Sequence, residues 1–279
     1  MKDTRSSSIN QNQNPMNYLI KSLFLILALV AFSCDSEDSM EVKDDNQQTE
    51  DPNNDNSSSD IIDISVLAAK FYNDDALTVS VGTDYITITS HNEPDHKSMY
   101  YSQGSSLYEA YDEPGNPDFK KNPNSIETQN FVYRIPRYPS EATTKSTTPM
   151  GPMGVAVNSV AFFNQQAAPG DDILEELNTF DQYEGHPANS GDYHYHIEPI
   201  WLTQKLGDDA FMGLLLDGFP VYGPVENSTR LTNDDLDDYH GHVAATAEFP
   251  NGIYHYHITD DLPWINGDGY FGTPGTITK

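Results

Sequence analysis

Sulfur, positive charge and long apolar runs are all scarce in this chain. One cysteine, Cys34, stands among 279 residues. No disulfide can close within the chain, so its fold rests on its core, on bound ions, or on both. Fourteen basic side chains against 43 acidic ones give a formal charge of −29. A surface that negative repels phosphate backbones and anionic head groups, which excludes nucleic acid as a partner and suits divalent cations or plain solvation. The imbalance is not confined to one tail: residues 1–60 carry four bases and eleven acids (net −7), leaving −22 on residues 61–279. The apolar run near the start, Leu19-Ile20 and then Leu23 to Phe32, is broken by Lys21 and Ser22. It is too short for a comfortable membrane span and has the length of a signal-peptide core.

That run ends at Ala31-Phe32-Ser33-Cys34. A small residue followed by a single cysteine resembles the lipobox of bacterial lipoproteins, which implies a signal peptide over 1–33 and a lipid on Cys34. Met16 is an alternative start, and the alternative outcome is a cleaved secretory peptide with an incidental cysteine. Asp35-Ser36-Glu37-Asp38 and the Asp/Asn/Gln/Ser tract behind it are too polar and too like-charged to bury a core. Residues 34–60 are therefore expected to form a disordered acidic tether. Acids directly behind the cysteine resemble the export signal of surface lipoproteins. The expected address is the bacterial outer membrane, facing outward, with the lipid anchor as the sole membrane contact.

From Ile61 the pattern changes to alternating apolar and polar residues. Leu77 to Val81, Gly82-Thr83-Asp84 and Tyr85 to Thr89 read as two strands around a glycine-containing turn. Phe131 to Ile135 reads as a strand ended by Pro136. Gly154 to Val157 and Val160 to Phe163 read as a hairpin with Asn158-Ser159 as its two-residue loop, because Asn tolerates the left-handed conformation. Phe211 to Leu216 reads as a buried strand stopped at Asp217-Gly218-Phe219-Pro220. One short helix is predicted from Asp172, with Ile173, Leu174 and Leu177 along one side. Many short strands with 18 Gly and 18 Pro predict one mostly-β domain over 61–279, a layered sheet or sandwich with short helices.

Seven of the nine histidines (186, 194, 196, 240, 242, 255 and 257) crowd into the C-terminal part of the chain. They belong to an internal repeat. Phe180-Asp181-Gln182-Tyr183-Glu184-Gly185-His186 matches Leu236-Asp237-Asp238-Tyr239-His240-Gly241-His242. Further on, Tyr193-His194-Tyr195-His196 matches Tyr254-His255-Tyr256-His257. The offset from the Gly-His histidine to the first motif histidine is 194 − 186 = 8 in one copy and 255 − 242 = 13 in the other. The shared constraint is therefore a hairpin-like return rather than helical periodicity.

On a strand, alternate side chains share a face about 6.5–7 Å apart. His194 and His196 then project from one face, Tyr193 and Tyr195 from the other. Two imidazoles so placed, with His186 returned beside them, can converge on one first-row metal ion, copper or zinc being the ions that imidazole suits. The candidate ligands are His186, His194 and His196 in one repeat and His242, His255 and His257 in the other. Asp192 and Asp217 are candidate carboxylates. The two triplets can form separate centres or face one another across a pseudo-twofold axis. The tyrosines read as packing and hydrogen-bonding groups, and His240, which lacks a repeat partner, as solvent-facing. An alternating Tyr/His strand is equally what a half-wet core strand with satisfied histidines looks like.

Beyond the repeat, Asn92-Glu93-Pro94-Asp95-His96, Gly151-Pro152-Met153-Gly154-Val155 and Leu216-Asp217-Gly218-Phe219-Pro220-Val221-Tyr222-Gly223 occur in the order found in the YHYH-domain family. The chain resembles that family over about residues 77–275. The likeness makes His96 and Asp217 second-rank site candidates. Family members often carry Cys before the Gly-His dipeptides and near the end, where this chain has Tyr183, Tyr239 and the region of Asp268. A cysteine-dependent role is excluded for this chain, and the resemblance implies a domain rather than a reaction.

Three functions compete at this level. The first is a lipid-anchored surface domain that binds copper or zinc through the repeated histidines. The second is a calcium-assisted glycan-binding or adhesion module using 17 Tyr, 12 Phe and acidic loops. The third is a structural surface lipoprotein without metal. No residue identifies itself as a catalytic base, so the sequence assigns no reaction and no small-molecule or glycan ligand.

Overall fold

The computed structural model describes residues 61–111 and 116–279. The signal peptide, Cys34 and the tether expected over 1–60 lie outside the described residues. Among those described, no helix is long and apolar enough to cross a membrane.

The strands in chain order are β1 (Leu77–Val81), β2 (Tyr85–Ser90), β3 (Phe131–Pro136), β4 (Glu141–Ser146), β5 (Gly154–Ala156), β6 (Ala161–Phe162), β7 (Gly185–Pro187) and β8 (Tyr193–Tyr195). They continue with β9 (Phe211–Leu215), β10 (Pro220–Tyr222), β11 (Val225–Glu226), β12 (Thr229–Arg230), β13 (Gly241–Ala244), β14 (Ile253–His257), β15 (Tyr270–Gly272) and β16 (Thr276–Thr278). Two short helices intervene, α1 (Ile173–Glu176) and α2 (Ile200–Leu206). The domain is mostly β, as its composition implied.

β1, β2, β3 and β16 form a four-stranded antiparallel sheet. Gly82 makes the turn between β1 and β2, its N–H donating to the Tyr85 carbonyl at 2.8 Å. Along β3 the residues alternate: Phe131, Tyr133 and Ile135 are buried, while Val132 and Arg134 are not. The second sheet has eight strands in the order β13-β14-β10-β9-β5-β6-β8-β7. Side chains of both sheets meet in a single cluster that includes Ile86, Ile88, Tyr133, Val155, Phe162, Leu214 and Val221. Burying each such side chain contributes about 1.5–3 kcal/mol. β9 and β14 are buried along their whole length, which is why both lack an exposed polar face.

The eight-stranded order is the sequence repeat made visible. On one side β5 pairs antiparallel with β6, β6 parallel with β8, and β8 antiparallel with β7. On the other, β9 pairs antiparallel with β10, β10 parallel with β14, and β14 antiparallel with β13. The halves join where β5 meets β9. Each half therefore ends in a hairpin of a Gly-His strand and a Tyr-His-Tyr-His strand, and these hairpins occupy opposite ends of the sheet.

Two local expectations are corrected, both at the β5–β6 hairpin. The loop between β5 and β6 has three residues, because the Ala156 N–H bonds to the Val160 carbonyl at 2.8 Å. Its left-handed residue is Ser159 (φ 83°) rather than Asn158. Ser159 is held there from both ends, its hydroxyl donating to the Glu93 carbonyl and its carbonyl accepting from Ser90 Oγ, each at 2.7 Å. The predicted helix at Asp172 is present, with the Asp172 carboxylate capping the Leu174 N–H at 3.0 Å. Further helical segments, among them the 3₁₀ turn Ile64–Lys70 and α2, are not legible as helices in the sequence.

Candidate metal centres

The two repeats fold alike from the residue upward. In each, the leading aspartate starts a tight turn: the Asp181 N–H bonds to the Gly185 carbonyl and the Asp237 N–H to the Gly241 carbonyl, both at 2.9 Å. The residue before the glycine, Glu184 or His240, takes a left-handed conformation (φ 62° and 74°). The glycine then begins the strand. A Cβ on Gly185 would lie 2.5 Å from the ring of Tyr193, and one on Gly241 would lie 2.5 Å from the hydroxyl of Tyr254. Only glycine lets that tyrosine cross over its neighbour. Beyond the glycine, the hydroxyl of Tyr193 reaches the Asp181 carboxylate and that of Tyr254 reaches Asp237, each at 2.9 Å. Register places His186 opposite His194 and His242 opposite His255.

In the first repeat three imidazole nitrogens converge. His194 Nε2 lies 3.0 Å from His186 Nε2 and 3.0 Å from His196 Nε2. Their other nitrogens are held. His194 Nδ1 donates to the Asp192 carbonyl at 2.8 Å, and His196 Nδ1 donates to the Asn164 carbonyl at 2.5 Å. The Thr179 hydroxyl gives its only hydrogen to the Glu176 carbonyl (2.8 Å), so it accepts from His186 Nδ1 at 2.6 Å. With every Nδ1 carrying the proton, the three neutral rings present bare Nε2 lone pairs to one another. These contacts are not hydrogen bonds. Burial depresses all three histidines, His196 to about 4, so the rings are in the neutral, ligating form at pH 7. Glu176 Oε2 on α1 lies 3.7 Å from His186 Nε2 and 3.8 Å from His196 Nε2. Burial raises its carboxyl above the usual range.

The second repeat assembles the same plate with a different rim. His255 Nδ1 donates to the Ile253 carbonyl at 2.9 Å and His257 Nδ1 to the Gly223 carbonyl at 2.8 Å. Their Nε2 atoms again meet at 3.0 Å. Burial lowers both, His257 to about 3. His242 Nε2 is buried without a hydrogen-bond partner. Glu226, on β11, lies 3.5 Å from His242 Nε2 and 3.6 Å from His255 Nε2.

Two ligands about 2.0–2.1 Å from an ion, subtending 90–110°, stand roughly 2.8–3.4 Å apart, which is the spacing of the paired Nε2 atoms. His186, His194 and His196 form one group that could hold a metal ion, and Glu226, His242, His255 and His257 form the other. The six sequence-predicted ligands are thus brought together as two separate triplets. A cleft of about 500 Å³ opens on the first, and one of about 420 Å³ on His255, His257 and Glu226 of the second.

The remaining candidates fall elsewhere. His96 is buried on the tyrosine face. Its Nδ1 donates to the Lys97 carbonyl (2.9 Å), leaving Nε2 to accept from Tyr195 OH at 3.1 Å. Asp217 mirrors it in the other half, accepting from Tyr256 OH at 2.6 Å and from the Phe219 and Gly272 N–H groups. Burial pushes its carboxyl up to about 6. Asp192 contributes its carbonyl to His194, while its carboxylate faces Lys279 Nζ at 3.1 Å. The carboxylates beside the histidines are Glu176 and Glu226, neither singled out by sequence. His240 is corrected: it is 2 % exposed, donating from Nδ1 to the His257 carbonyl (2.8 Å), with Nε2 3.1 Å from Asn233 Oδ1. Tyr183 and Tyr239 pack against Trp201 and Phe271.

Fold and site together define a mostly-β domain in which a duplicated hairpin builds two histidine clusters suited to a metal ion. The YHYH protein family model matches residues 132–233 and 226–268, and this part of the chain is a YHYH domain. The match takes in both repeats and the Leu216–Gly223 block, while the segment around His96 precedes it. Comparison with curated proteins and with solved structures finds no match in either.

Proposed function

We propose that this domain binds two first-row transition ions, copper or zinc, one in each repeat, and serves metal handling at the cell surface. The observation that carries the reading is the convergence of Nε2 lone pairs, with Nδ1 protons pinned to outer acceptors. Bare nitrogens 3.0 Å apart repel unless a cation lies between them, and outer acceptors that fix tautomer and ring direction are what metal-binding histidines use. Nitrogen-rich donors suit copper and zinc, whereas calcium takes six to eight oxygens. That chemistry disfavours a calcium-dependent glycan site at either cluster. A lipid on Cys34, an acidic tether over 34–60 and display on the bacterial outer membrane complete the proposal. The strongly negative surface would concentrate cations near both clefts.

Elemental analysis of the full chain, purified without a histidine tag and supplied with zinc or copper, tests this. One ion per histidine cluster is expected. His194→Ala with His196→Ala removes one, and His255→Ala with His257→Ala removes the other. A wild-type chain that takes up neither metal rejects the reading.

A further inference from the structure

Building on the two-centre reading, we propose that the centres divide the work: the first retains its ion, and the second exchanges its ion with the surroundings, with His242 as the ligand that swings. The contrast lies at one repeat-equivalent position. His186 is 5 % exposed and its Nδ1 is held by Thr179 at 2.6 Å. The strand that carries it is clamped, because Asn122 and Asn124 both donate to the Pro187 carbonyl, at 3.0 and 3.1 Å. His242 has a side chain 26 % exposed and a buried Nε2 that has no hydrogen-bond partner and lies 3.5 Å from Glu226. The residue after it, Val243, is 71 % exposed on the edge strand β13.

The carboxylates differ in the same sense. Glu176 sits on α1, and the 3₁₀ turn Leu177–Thr179 that follows carries the holder of His186. Glu226 sits on the ribbon β11–β12, whose strands pair only with each other. Opening the second centre displaces His242 and Glu226 while the His255–His257 plate stays anchored to Ile253 and Gly223. Opening the first breaks the part-buried His186–Thr179 bond. The ligand implied is a hydrated transition ion, or one delivered on a small chelator, entering by the cleft beside Glu226.

The test is zinc release from the full chain loaded at both centres, challenged with excess chelator. Two phases of equal amplitude are expected, separated by about ten-fold or more in rate, the scale on which outer partners tune metal affinity. Glu226→Gln should accelerate the fast phase and leave the slow one unchanged. Thr179→Ala, which removes the holder of His186 together with the hydroxyl's bond to the Glu176 carbonyl, both at the first centre, should accelerate the slow phase alone. A single release rate for both ions overturns the division of labour while leaving the two-centre reading intact, as does a fast phase that responds to Thr179→Ala. A chain that binds neither zinc nor copper removes both.

Discussion

At the scale of single residues, the glycine of each Gly-His dipeptide is as decisive as the histidine. It leaves the space that Tyr193 or Tyr254 occupies on its way to an aspartate. Gly185→Ala should cost about 1–3 kcal/mol as an overpacked core substitution, whereas Gly104→Ala, whose added Cβ meets nothing within 4 Å, should be close to neutral. Urea denaturation of the two variants checks this. The ligand histidines were legible because they recur at matched positions. Glu176 and Glu226 were not, because they precede their Gly-His histidines by 186 − 176 = 10 and 242 − 226 = 16 residues, on unrelated elements. His240 was misread for a related reason. Glu184 stands at its place in the other repeat, so no matching histidine signals that this imidazole turns inward to the His257 carbonyl.

At the scale of elements, the unit is an aspartate-led turn, a Gly-His strand and a returning Tyr-His-Tyr-His strand. Asp181 and Asp237 stood at equivalent places in the sequence repeat, which was the available signal for their role as tyrosine acceptors. Asp181 also accepts from Ser98 Oγ at 2.5 Å and is buried, while Asp237 sits at the more exposed end of the sheet. Asp181→Ala leaves two buried hydroxyls without an acceptor and should cost more than Asp237→Ala. Each stranded group costs about 1–3 kcal/mol, and thermal unfolding of the two variants ranks them. The strands were legible from alternation and turn residues. The helix Ile200–Leu206 was not, because it is short and its start lacks a side-chain cap.

At the scale of the whole molecule, the cluster histidines couple stability to pH. Burial holds His196 at about 4 and His257 at about 3, below the 6.5 of an unfolded histidine. Between those values the unfolded chain binds more protons than the folded one, so stability falls as pH drops below about 6.5. Each such histidine contributes a slope of up to about 1.4 kcal/mol per pH unit. Asp217 opposes this: its carboxyl, raised to about 6, gains a folded-state proton first and favours the fold as pH falls toward 4. Burial raises the Glu176 and Asp181 carboxyls as well, and three carboxyls against seven depressed histidines (96, 186, 194, 196, 240, 255 and 257) leave the net slope with the histidines. In metal-free protein the urea midpoint should decline from pH 7 to 5, and a flat profile would mean that the rings are not held neutral.

The most direct test of the two-centre proposal is anomalous diffraction from crystals of the full chain grown with zinc. Two separate peaks are expected, one about 2.0–2.1 Å from Nε2 of His186, His194 and His196, the other at the same distance from His242, His255 and His257. Zinc found only on surface carboxylates, with neither cluster occupied, would contradict it.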